Sequence, residues 1–177
     1  IDSLNTLNIQ LNSDLDVTRQ ELTSTSSERD QYRQEAETSA AKVKEGSKLS
    51  AYSIATVALR SKLNDMTAET NKAKSTIQIK SAFTIAANPI TPKGRKSVYM
   101  QVIKPDGSTF QRSAANVIST DAGSVPFSDK KDIDYTGEAV SLAVYYDLRG
   151  EEAQKGSYQV RLFVDGQMVG KDSFTLK

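Results

Sequence analysis

The sequence predicts α+β structure in separate segments: an N-terminal coiled-coil helix over residues 1–46, then an antiparallel Ig-like β-sandwich over residues 47–177. Three observations carry this. The stretch LDVTRQELTSTSSERDQYRQEAET, residues 15–38, has no Gly or Pro and is dense in Glu, Gln and Arg. After GSK, residues 46–48, the texture changes to short β-branched and aromatic runs cut by turn signals. These runs do not alternate with helical segments, which argues against βαβ units and for antiparallel pairing.

The helix carries a sevenfold repeat. With Ile1 at a, the a positions are Ile1, Asn8, Leu15, Leu22, Arg29, Ala36 and Val43, five of the seven apolar. The d positions include Leu4, Leu11 and Tyr32, with Thr18 and Thr25 between them. An unbroken sevenfold repeat favours a left-handed supercoil of two chains. An amphipathic helix on a globule would need a wider apolar face, and a lone helix is the simplest alternative. In a parallel dimer Asp14 faces Arg19 of the second chain and Glu28 faces Arg33, both attractive and each contributing only tenths of a kcal/mol. Asn8 either fixes the register by pairing with its own copy or merely interrupts a weak seam. The Ser/Thr-rich middle suits a spacer, since roughly 45 residues rising 1.5 Å each give a rod of about 65 Å.

The second segment reads as about seven strands. Leu49–Leu59 sets Tyr52, Ile54 and Thr56 against Ala55, Val57 and Leu59, although its alanines also suit a helix. SKLNDMTAETNKAK is polar, a loop or a short helical turn. From Thr76 the run through Ile77, Ile79, Phe83 and Ile85 predicts a strand with a bulge or a bend near Ser81 and Ala82. NPITPKG is a turn cluster. SVYMQVIKPDGSTF holds a strand and then a Pro-Asp-Gly turn, in which Pro presets φ and Gly supplies a positive one. Val117–Ser119 is a candidate short strand and DAGSVPFSDKKDID reads as a loop. In GEAVSLAVYYDL, Val140, Leu142, Val144 and Tyr146 share one side, so the adjoining Tyr145 and Tyr146 point to opposite faces. At the C-terminal end Tyr158, Val160, Leu162 and Val164 alternate strictly. Asp165-Gly166 is a type I′ hairpin signal, and Gly170 marks a bulge in the return strand. The Cys…Trp…Cys core of antibody domains is missing, so Ig-like means architecture alone.

Composition narrows the chemistry. The chain has no Cys, His or Trp and a net charge of +1. Disulfides, thiol nucleophiles, Cys/His zinc sites and Ser-His-Asp catalysis are therefore excluded. No basic excess points to nucleic acid, and no apolar run approaches the roughly 20 residues of a membrane span. Neither phosphate-loop pattern occurs. Asp129, Asp132 and Asp134 could, with Asp121, ligate calcium at one end of a sandwich, but the spacing is not that of an EF-hand and Lys130 and Lys131 oppose a cation. Lys93, Arg95 and Lys96 read as a solvated loop, as do Glu151, Glu152 and Lys155. No base–nucleophile pair stands out, so the chain reads as non-enzymatic, with no cofactor and no metal.

Several stretches carry a resemblance: IDSLNTLN, ETNKAKSTIQIKSAFTIAANPI, VYMQVIKPDG, YTGEAVSLAVYYDL and KGSYQVRLFVDG. Together they resemble a family of envelope proteins of Bacteroidetes that often carries a chromosome-partitioning label. The resemblance implies an upstream transmembrane anchor, further coiled coil and a head on the periplasmic side of the inner membrane. The first residue is Ile rather than Met, which agrees with an expected upstream segment. A partitioning ATPase would need the phosphate loop that this chain lacks. The expectation is a parallel homodimer presenting β-sandwich heads to another envelope protein, without nucleic acid and touching membrane only through its anchor. A carbohydrate- or ligand-binding sandwich is the alternative, and an exposed aromatic platform would argue for it.

Overall fold

The computed structural model describes residues 2–177; Ile1, the first position of the predicted seam, lies outside them. The chain forms two compact units that divide between Glu45 and Gly46. The first is one helix, α1 (Asp2–Gly46), in which no residue is buried. Leu4, Leu11, Leu15, Leu22, Tyr32 and Val43 are all exposed, Leu22 at 70%, as are Asn8 and Ala36. Most of the Thr hydroxyls of the helix donate within it. Thr18 donates to the Asp14 carbonyl at 2.8 Å, Thr23 to Arg19 at 2.8 Å and Thr38 to Gln34 at 2.8 Å. This back-bonding lets Thr sit mid-helix without an outside partner. Arg33 pairs with Glu37 one turn on, at 3.0 Å.

The second unit contains ten strands. Sheet I has the order β2-β1-β3-β8, from β1 (Ala51–Ser61), β2 (Thr67–Thr70), β3 (Gln78–Ile85) and β8 (Val140–Asp147). Sheet II has the order β10-β9-β4-β7, from β4 (Gly94–Ile103), β7 (Asp129–Tyr135), β9 (Gly156–Val164) and β10 (Gln167–Leu176). A separate hairpin joins β5 (Val117–Thr120) to β6 (Gly123–Pro126). Every strand pairing is antiparallel. The two sheets share one core: Ile79, Phe83, Ile85, Val144 and Tyr146 from sheet I meet Val98, Met100, Val102, Tyr158, Val160, Leu162 and Val164 from sheet II.

Several expectations need correction. Ten strands replace seven, because β2, β6 and β7 lie where the sequence reads as loop. β7 is an edge strand, paired only with β4. Its inward side needs only Ile133 and Tyr135, so Lys130, Lys131, Asp132 and Asp134 can face water or the rim, as edge strands tolerate. The helix alternative for residues 49–59 is wrong, since the run is β1. No bulge interrupts β3: Ser81 takes an inward slot, fully buried, and accepts a hydrogen bond from Thr56 Oγ1 at 3.0 Å. The irregularity falls on its neighbour β1, between Tyr52 and Ala55, where Ser53 has φ 53°. Lys96 is not in a solvated loop; it is an inward residue of β4, buried at 8% exposure and ion-paired with Asp165. Other expectations hold. Asp165 and Gly166 both have positive φ, 51° and 75°, as a type I′ turn requires. The β9–β10 register shifts between Met168 and Gly170. Tyr146 is buried and Tyr145 exposed.

The core is organised by aromatic rings. Phe174 stacks on Tyr158 at 4.9 Å, Tyr158 on Phe110 at 6.0 Å, and Phe110 lies tilted against Tyr146 at 5.3 Å. The Arg112 guanidinium closes the row over the Tyr146 ring at 5.4 Å. Within the row Tyr158 makes a corner: its hydroxyl donates to the Gln154 carbonyl at 2.8 Å, the contact by which a Tyr at the start of an Ig-type strand pins the loop before it. The Gln154 side chain donates to Asp106 at 3.1 Å, and Ser108 donates to the same carboxylate from Oγ at 2.6 Å and from its backbone at 2.9 Å. Gly156, at φ 132°, lets the chain pass Pro105, where a Cβ would lie 2.9 Å from the ring. The Pro-Asp-Gly turn and the β8–β9 loop are thus locked together.

Burial pushes the Tyr158 hydroxyl above its ordinary pKa, so it remains a donor across the neutral range. Tyr158→Phe removes that donor and should lower unfolding free energy by about 1–2 kcal/mol, read as a fall in urea midpoint with unchanged slope. The Ser108 side-chain bond, then its backbone bond, holds the Asp106 carboxyl at about 2, below the ordinary 3.8. A depressed folded-state pKa stabilises at pH above the unfolded value and loses that contribution as pH falls through the folded one. The difference in urea midpoint between the native chain and Asp106→Ala should accordingly be largest near neutrality and shrink from pH about 4 to about 2.

Candidate functional site

The outer face of sheet II is half covered. The β5–β6 hairpin lies over it, held by the backbone N–H of Asp121 to the Gly166 carbonyl at 3.2 Å and by Gln167 Nε2 to the Asp121 carboxylate at 3.2 Å. Beneath it Tyr99 packs edge-on against Phe127 at 4.9 Å, and Phe163 is buried although it points away from the main core. Gly166 makes this seating possible, since a Cβ there would stand 2.9 Å from the Ser119 carbonyl oxygen.

Between the hairpin and the β9–β10 pair runs a groove of about 810 Å³. Thr120, Ala122 and Val125 form its wall, and outward residues of β9 and β10 its floor. Register arranges the floor in rows. Phe163 faces Met168, Arg161 faces Lys171, and Gln159 faces Ser173. Along β9 successive rows are two residues apart, roughly 7 Å, while on β10 the bulge sets Met168 and Lys171 three residues apart. The groove therefore passes from apolar, through doubly cationic, to neutral polar. Arg161 and Lys171 are both exposed, and no salt bridge among the described residues includes either. Like charges directly opposite on paired strands repel. Asp172 borders the groove, but its carboxylate is engaged by the Thr56 backbone N–H at 2.8 Å and by that of Ser173 at 2.8 Å. Beside Arg161 in register lies Gln101, buried, its Oε1 without a hydrogen-bond partner.

The sequence-derived candidates are distributed elsewhere. Asp129 pairs with Arg112 at 3.0 Å, while Asp132 takes Arg95 at 2.8 Å and Ser97 Oγ at 2.6 Å. The Ser97 bond, then the Arg95 bond, holds the Asp132 carboxyl below its ordinary range. Among the described residues no three acidic groups come together as a metal cluster. Glu151 accepts from the Tyr146 hydroxyl at 2.7 Å, and burial, reinforced by that carboxylate, pushes the hydroxyl pKa far up. Of the helix residues, Asp14 and Arg19 accept Thr back-bonds through their carbonyls and Arg33 pairs within its own helix. Tyr145 stands exposed on the outer face of sheet I beside Lys80, in a shallow depression of about 370 Å³ floored by Ala82 and Ala143. Sequence reading misses the groove, because its rows join β9 and β10 to a hairpin more than thirty residues upstream. The one local sign is basic residues at outward positions of both strands.

These features define a protein with a long N-terminal helix and an antiparallel β-sandwich that bears a mixed apolar and basic surface groove. Residues 52–177 match the family model described as a domain of unknown function, DUF8428, and the chain belongs to that family. No curated protein matches it. Among solved structures it is similar to a Pseudomonas fluorescens alkylpurine DNA glycosylase bound to DNA containing an abasic site analog, at 12% identity and TM-score 0.40, over 73% of this chain and 30% of that one. It is similar to a Kluyveromyces marxianus β-glucosidase at 9% identity and TM-score 0.42, over 74% of this chain and 14% of that one. An immunoglobulin-like protein from Pseudomonas aeruginosa matches at 12% identity and TM-score 0.34, over 73% of this chain and 97% of that one. The chain thus spans less than a third of the first two proteins. Among the described residues no helix is long and apolar enough to cross a membrane.

Gly166→Ala adds the Cβ that meets Ser119 and strains a φ of 75°. It should loosen the hairpin by more than about 1 kcal/mol. Hydrogen exchange should then speed up across residues 117–126 while Val160 and Leu162 in β9 stay protected.

Proposed function

We propose that this chain is a non-enzymatic interaction protein: a parallel coiled-coil homodimer whose stalk carries Ig-like β-sandwich heads that bind another protein. The observation that carries the reading is α1 itself, 45 residues long with none buried and an apolar row at Leu4, Leu11, Leu15, Leu22, Tyr32, Ala36 and Val43. A second copy of the same helix is the occupant that its charges select. Asp14 would meet Arg19 and Glu28 would meet Arg33 across the seam, while Asn8 would meet its own copy and set the register. Arg33 already turns to Glu37 within its helix, so in a dimer it would bridge two carboxylates.

The Ig-like assignment is supported by the Tyr158 corner and by two four-stranded antiparallel sheets around one core. The resemblance to anchored envelope proteins adds the setting: heads on the periplasmic side of the inner membrane, tied to it by an upstream segment. A glycan-binding head is the second reading, favoured by Tyr145 exposed above Ala82 and Ala143; a glycan array probed with the whole chain tests it.

Sedimentation equilibrium of residues 1–177 at tens of micromolar should give a dimer, and Leu15→Glu with Leu22→Glu should give a monomer with an unchanged head. A native chain that sediments as a monomer there overturns the stalk.

A further inference from the structure

We infer that the groove on sheet II binds an extended peptide of a partner protein carrying an apolar residue and, two positions along, an acidic one. This rests on the protein-binding reading of the head and names where and what it binds. The argument is charge complementarity in register. Arg161 and Lys171 face each other across β9 and β10, both exposed, and the one acidic lining residue, Asp172, is occupied by two backbone N–H groups. A like-charged pair opposite in a sheet is destabilising, and an incoming carboxylate between the two reverses the sign. On one side of that row lie Phe163, Met168 and Val125, on the other Gln159 and Ser173. Met168 is 54% exposed, an unbranched, adaptable side chain of the kind found at surfaces that receive varied apolar groups.

Spacing selects the ligand conformation. In an extended chain the side chains on one side repeat every two residues, roughly 7 Å, which is also the interval between the rows along β9. An extended peptide lying along β9 and β10 would place an apolar side chain over Phe163 and Met168, a carboxylate between Arg161 and Lys171, and a polar group by Gln159 and Ser173. A helix, whose same-face neighbours stand about 5–6 Å apart, falls short of that interval at each step. The hairpin wall at Thr120, Ala122 and Val125 closes one flank, so the peptide is held by its side chains on a sheet face rather than by strand addition at an edge.

Phage-displayed random heptapeptides panned on residues 1–177 test this, followed by fluorescence anisotropy of the enriched peptides. The expected enrichment is apolar–x–acidic. Arg161→Gln with Lys171→Gln should weaken binding about tenfold, since two exposed ion pairs are lost, and added salt should weaken the native complex. Phe163→Ala probes the apolar row, and Met168→Ser does so without disturbing a buried ring. Enriched peptides that bind the charge-neutralised protein equally well overturn this site while leaving a protein-binding head. A peptide that binds equally well once its apolar residue is replaced by Ser indicates a bare anion site and also overturns it. No enrichment at all removes the peptide site, with the stalk still judged separately by sedimentation.

Discussion

The hydroxyl of Tyr158 holds two parts of the β-unit in one arrangement. It ties the β8–β9 loop to the start of β9 through Gln154, and Gln154 in turn ties that loop to the Pro-Asp-Gly turn through Asp106. The ring below the hydroxyl is stacked between Phe174 and Phe110. One residue thus supplies an apolar body to the core and a polar tip to the rim, the double use for which Tyr is suited. Antibody domains brace the two sheets with a disulfide against Trp. This chain has neither Cys nor Trp and braces them with a four-ring row instead. Phe174 comes from β10 and Tyr158 from β9, both in sheet II, while Tyr146 comes from β8 in sheet I. The row therefore crosses the interior between the sheets.

That brace fixes what lies outside it. With Val160, Leu162 and Val164 held inward on β9, Gln159, Arg161 and Phe163 must face outward, because side chains alternate along a strand. Register with β10 then places Lys171 opposite Arg161 and Met168 opposite Phe163. A slip of one residue would exchange the two faces of β9, burying Arg161 and exposing Leu162. The chemistry of the groove is therefore a by-product of core packing on the other side of the same strand. The type I′ turn at Asp165-Gly166 sets the pairing, and the buried Lys96 anchors it by its ion pair to Asp165. Gly166 also receives the β5–β6 hairpin. Floor and wall thus meet at one turn.

How much of this can be read from sequence follows from which interactions are local. The helix, the Pro-Asp-Gly turn, the Asp165-Gly166 hairpin, the bulge at Gly170 and the inward row of β9 all rest on spacing within a few residues, and all are legible. β7 is not: an edge strand with Lys130, Lys131, Asp132 and Asp134 looks like loop until β4 is known to lie beside it. Ser81 breaks the apolar alternation of β3 and suggests a bulge, but Thr56, twenty-five residues away, supplies the hydrogen bond that lets it be buried. Lys96 reads as solvated because its partner is Asp165, on a turn far along the chain. The groove is the extreme case. Arg161 and Lys171 are unremarkable as letters, and their meaning comes from facing each other without a carboxylate between them.

The two units divide the energetics in opposite ways. The β-unit has its own core and two well-determined turns within residues 46–177. The helix buries nothing of its own, and its Thr hydroxyls and the Arg33–Glu37 pair offer only small local support. The proposed peptide groove, with two exposed charges, one Met and one aromatic floor, would be weak when used once, since exposed ion pairs contribute about 0–1 kcal/mol each. On the proposed dimer two such surfaces would act together, and linked sites can raise overall affinity by roughly 10²–10⁴ without any new contact. A weak seam and a weak groove are thus consistent with each other. The helix would supply the number of heads, and each head would supply the choice of partner.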